Sequence, residues 1–191
     1  MSLAARYDDD ETTTKALVPS DLHCTSQPPG DSSPSFLTTR PGRTGVLDPL
    51  TELPKVLTGD RAPDLILCPG DLADKADPDA LSDVWRRLND LSKQLDASLV
   101  ATVGNHDMDS RGAFDVDPKA QLVSLEPPFP TGESKGRSNY WTYDLATVVS
   151  DRWRIVTLNS CACTATGRRT HRPSIFTERC ASRQHTTFET P

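Results

Sequence analysis

The sequence predicts an α/β fold, and three observations carry the prediction. Apolar runs of strand length stand at residues 14–18, 64–68 and 98–103. Between the second and third runs lies a segment whose leucines recur at helical spacing. Each run empties directly into a polar turn containing Asp, Asn or His. Strand, turn, helix and strand in that order make a β-α-β unit, the building block of a parallel sheet.

The first run, Thr14-Lys15-Ala16-Leu17-Val18, is the weakest strand and leads through Pro19-Ser20 into Asp21-Leu22-His23. Residues 24–46 are rich in Pro, Ser, Thr and Gly without periodicity, which predicts a long exposed loop near the strand ends. Residues 48–57 begin with Asp48-Pro49 and space Leu50, Leu53, Val56 and Leu57 as a helix does. Proline inside a helix costs about 3 kcal/mol, so Pro54 makes this helix short or kinked. The second run, Asp64-Leu65-Ile66-Leu67-Cys68, empties into Pro69-Gly70-Asp71-Leu72-Ala73-Asp74.

Asp77-Pro78-Asp79 is a helix start, with an N-cap, a proline in the first turn and an acid at the positive dipole end. Leu81, Val84, Trp85, Leu88, Leu91 and Leu95 follow on one face, with Arg86, Arg87, Asn89, Asp90 and Lys93 on the other. The third run, Ser98 to Val103, delivers Gly104-Asn105-His106-Asp107. Residues 109–138, with Pro127-Pro128-Phe129-Pro130, read as a second long loop. Tyr140-Trp141-Thr142-Tyr143 and Arg154-Ile155-Val156-Thr157-Leu158 read as a strand pair around Ser150-Asp151.

The turns carry the chemistry. Side chains just past the carboxyl ends of parallel strands converge on one crevice, so turns far apart in sequence share a site. Asp21 and His23, one residue apart, face the same way on an extended segment and suit a chelate. Asn105, His106 and Asp107 offer a metal ligand, a proton donor and a carboxylate to orient it. Each turn taken singly has a plainer reading: Asp21-Leu22-His23 as a surface turn, Asp71 and Asp74 as caps of the following helix.

Asp21-x-His23, Gly70-Asp71-x-x-Asp74 and Gly104-Asn105-His106-Asp107, in that order, resemble the calcineurin-like metallophosphoesterase superfamily over about residues 14 to 160. The resemblance implies a β-sandwich flanked by helices (αββα), apparently truncated in this chain. It implies that Asp21 and His23 bind a first metal, that Asp71 bridges two metals and that Asn105 binds the second. His106 would approach the phosphate and its leaving group, Asp107 would hold the His106 ring, and Asp74 would support the loop. The implied reaction is hydrolysis of a phosphomonoester or phosphodiester through a metal-bound hydroxide, on a phosphoester small molecule or nucleotide. Ligands of mixed carboxylate, imidazole and amide type suit Mn, Fe or Zn better than Ca. Lys75 and Asp107 stand where protein serine/threonine phosphatases carry Arg and Glu, so the resemblance leans toward phosphodiesterases and nucleotidases.

Composition limits the alternatives. With 191 residues, 35% hydrophobic and 25% charged, the chain has material for one core. A net charge of −6 argues against a protein built to bind nucleic-acid backbone. No stretch is apolar enough for a membrane span, and residues 1–10 do not form a signal peptide, so a cytoplasmic protein is expected. Five cysteines, Cys24, Cys68, Cys161, Cys163 and Cys180, are expected to be reduced. The superfamily completes its site with a further histidine and a Gly-His-x-His turn, and the remaining His171 and His185 have neither context. The expected organisation is therefore an incomplete phosphoesterase domain over 12–163 and a disordered or out-of-frame tail over 164–191, rich in Thr and Arg and poor in apolar residues. A catalytically inactive fragment that keeps metal or phosphate binding is the alternative function.

Overall fold

β2 (Leu65–Cys68) and β3 (Ser98–Ala101) pair in parallel, with Leu65 opposite Ser98 and Cys68 opposite Ala101. β1 (Ala16–Leu17) adds in parallel to the other side of β2, so the sheet order is β1-β2-β3. The computed structural model describes residues 13–26, 37–39, 48–108, 117–142, 145–149 and 154–159. The proposed tail, Cys161, Cys163, Cys180, His171, His185 and most of the 24–46 loop lie outside the described residues. β2 is nearly continuous in apolar side chains because a central parallel strand is covered on both faces.

The crossover from β2 to β3 is α2 (Pro78–Leu95). Asp77 caps it by accepting from the Ala80 N–H at 3.2 Å, and Asp96 closes it in the left-handed conformation. The predicted Leu81, Val84, Trp85, Leu88, Leu91 and Leu95 are buried, and Asn89, read onto the polar face, is buried with them because its amide donates to the Trp85 carbonyl at 2.8 Å. α1 (Pro49–Val56) keeps Pro54 inside an eight-residue helix and packs on α2, where Arg87 pairs with Asp48. The short helix read from the spacing is present.

Downstream of the third turn the structure departs from the sequence reading. The expected loop at 109–138 contains α3 (Pro118–Ser124), capped by Asp117, whose carboxylate accepts from the Lys119 and Ala120 N–H groups. Of the expected strand at Tyr140–Tyr143, Tyr140, Trp141 and Thr142 are instead the end of α4 (Ser134–Thr142), and Tyr143 lies outside the described residues. Tertiary packing overrides the β-propensity of these aromatics. Tyr140 is fully buried, edge-on to Phe129 at 5.7 Å and to Trp141 at 5.0 Å. The antiparallel pair does form, but between β4 (Leu145–Val149) and β5 (Arg154–Leu158), with Leu145 opposite Leu158. Its first strand therefore starts five residues later than read, at Leu145 rather than Tyr140.

One core joins these parts: Ile66, Trp85, Leu88, Leu122, Phe129 and Tyr140 belong to a single buried cluster. The Trp85 indole N–H donates to the Pro127 carbonyl at 2.6 Å and fixes the proline segment over α2. The Tyr140 hydroxyl accepts from the Val103 N–H at 3.0 Å and lies 2.8 Å from Thr102 Oγ1, which donates to the Leu158 carbonyl at 2.9 Å. The second sheet is thereby tied to Thr102, just past β3 and two residues before Gly104. Among the described residues no helix is long and apolar enough to cross a membrane. The arrangement is the mixed α/β fold that the sequence predicts, with a parallel sheet and helices.

Candidate metal centre

The turns after β1, β2 and β3 are stitched together by backbone hydrogen bonds. The His23 N–H donates to the Asp71 carbonyl at 2.9 Å, the Cys24 N–H to Leu72 at 2.9 Å, and the Asp74 N–H to Cys24 at 2.8 Å. The Ala76 N–H donates to the His106 carbonyl at 2.6 Å, which joins the second turn to the third. Asp77 accepts from the Ser26 N–H at 2.7 Å and hydroxyl at 2.6 Å while it caps α2, so one carboxylate locks the first turn to the crossover helix.

Two glycines let the second and third turns touch. A Cβ on Gly70, at φ +115°, would lie 2.5 Å from the Gly104 nitrogen. A Cβ on Gly104 would lie 2.5 Å from the Asp71 nitrogen and would overlap the Asp71 carboxylate. Only glycine permits backbones to approach this closely. The same turns hold Asp21 (φ 54°), His23 (φ 43°) and Asp71 (φ 52°) in the left-handed region, which side-chain-bearing residues rarely occupy. Such strain gathers where surrounding structure over-determines a functional geometry.

Three side chains converge. His23, Asp71 and His106 each offer a donor atom, and these atoms all lie within 4.8 Å of one another. The two imidazole rings meet edge to face at 4.4 Å. Asp71 Oδ1 accepts from the His106 backbone N–H at 2.9 Å, which fixes the carboxylate beside the third turn. Asp21 stands beside this group: its exposed carboxylate is 3.8 Å from His23 Nε2 and contacts the Ser20 hydroxyl. The Asn105 side chain is exposed at the tip of the third turn.

Asp107 is not where the sequence reading put it. Its carboxylate is fully buried and accepts from the Ala73 N–H and the Gly104 N–H, both at 2.9 Å, so it clamps the second turn to the third from beneath. The carboxylate that meets the His106 ring is Asp74, 3.2 Å from Nδ1. The reason is local. His106–Met108 form one 3-10 turn, and with three residues per turn neighbouring side chains diverge by about 120°. Burial pushes the Asp107 carboxyl up to about 7; its two N–H partners pull the other way, and the Asp71 charge adds to the rise. Burial likewise pushes the Cys24 and Cys68 thiols up to about 12, so both are protonated core residues rather than thiolate ligands.

Two imidazoles and a carboxylate, half-buried, form a donor set that fits a divalent transition-metal ion. Asp74 was legible in the Asp71-x-x-Asp74 spacing, but nothing in the string says which acid faces the ring.

No curated protein matches the sequence at a significant level. The family model for calcineurin-like phosphoesterases, whose members use divalent metals, matches residues 14–168 and takes in all three turns. The chain belongs to the calcineurin-like phosphoesterase family.

Proposed function

We propose that the chain hydrolyses phosphoesters, mono- or diesters of small molecules or nucleotides, with Mn, Fe or Zn bound at the three turns. The observation that supports this reading is the convergence of His23, Asp71 and His106 from three separate strand ends. A bound divalent cation supplies Lewis acidity toward phosphoryl oxygens and lowers the pKa of water near it. His23 and Asp71 hold the cation, and Asp21 adds negative charge at its margin. The His106 ring, oriented by Asp74, is the group on which turnover depends. Asn105 places a neutral amide at the mouth, where a phosphate oxygen or a second cation is met. Asp107 acts through the backbone, holding the Gly104 turn against the Ala73 turn.

The test is hydrolysis of bis(p-nitrophenyl) phosphate by the full chain with added Mn, alongside His106→Ala. Loss of a positioned histidine is expected to lower turnover by about 10²-fold or more. Hydrolysis that survives His106→Ala rejects the site. A binding-only chain is the second reading, favoured by the small number of converging donors, three among the described residues. It is supported if Mn binds and no phosphoester is turned over.

A further inference from the structure

We draw no further inference here: the strongest candidate, the outer face of β5 on which Val156 and Leu158 stand 55% and 63% exposed to either side of the buried Thr157, is an apolar patch, and nothing among the described residues shows what covers it.

Discussion

The crossover helix and the turns on either side of it obey opposite rules. α2 satisfies its local preferences nearly throughout: Asp77 caps it, Pro78 opens it and its leucines share one face, with only Asp96 at its end in the left-handed conformation. The turns break those preferences. Of the six non-glycine residues with positive φ among the described residues, Asp21, His23, Asp71, Lys75 and Ala76 belong to the first two turns or their flanks, and only Asp96 belongs to the helix. The turns also bury a carboxylate and press two backbones together at Gly70 and Gly104. The difference teaches where folding free energy is gained and where it is spent. A regular unit of β2, α2 and β3 holds in place an irregular site that would not persist on its own.

Removing part of the regular unit should therefore have the largest effect. Trp85 is fully buried, tilted against Phe129 at 5.0 Å, and donates to the Pro127 carbonyl. Trp85→Ala is expected to lower stability by about 4 kcal/mol in urea denaturation, through lost burial and the cavity left behind. A loss under about 1 kcal/mol would mean that α2 is not the support described here.

Gly104→Ala moves the test to the turns. Its Cβ would fall on Asp71, so the second and third turns must separate. Overpacking of this kind costs about 1–3 kcal/mol. The sharper consequence is displacement of Asp71 from the two histidines it stands beside, so Mn affinity should fall by far more than the stability loss alone predicts. Wild-type Mn affinity in a folded Gly104→Ala protein would break the distinction between the two regions.

The same distinction explains what was legible. Asp48-Pro49 and Asp77-Pro78 announced α1 and α2, and Asp117-Pro118 announces α3 in the same way, inside a stretch whose prolines and glycines drew the eye to loop. α4 was not legible, because Tyr140-Trp141-Thr142 has strand composition and becomes helical through packing against Phe129. At the site, His23, Asp71 and His106 were named from their strand-end positions. Which carboxylate meets the His106 ring depends on a single 3-10 turn that no spacing encodes, so Asp107 was read into the place that Asp74 holds.

A smaller effect measures the strain itself. Asp21 and Asp96 share nearly the same left-handed backbone, φ 54° and φ 51°. Glycine should be more stable than alanine at both positions by about 1 kcal/mol, since only alanine carries the left-handed penalty. At Asp96 nothing else should change. At Asp21 the carboxylate beside His23 is lost in both variants, so Mn affinity should fall equally in Asp21→Gly and Asp21→Ala. Equal stability of the two variants at Asp21, with the expected difference at Asp96, would show that the first turn relaxes and stores no strain.

The last effect, one of reactivity rather than stability, is expected at the seam between the two regions. Cys68 ends β2, next to the Pro69-Gly70-Asp71 turn, and is buried. Burial pushes its thiol from 9.0 up to about 12. The thiolate is the reactive form, so near pH 8 the folded chain should alkylate at Cys68 about 10³-fold more slowly than the chain in urea. The sign follows from the raised value: between pH 7 and 9 the folded thiol stays protonated and labelling stays negligible, while in urea it climbs as pH approaches 9. Peptide mapping after iodoacetamide treatment separates Cys68 from the other cysteines. A native rate that climbs with the same midpoint as in urea would mean that Cys68 reacts through local opening of the second turn. The strained turn would then unfold independently of the sheet that carries it, and the regular unit would support the site only part of the time.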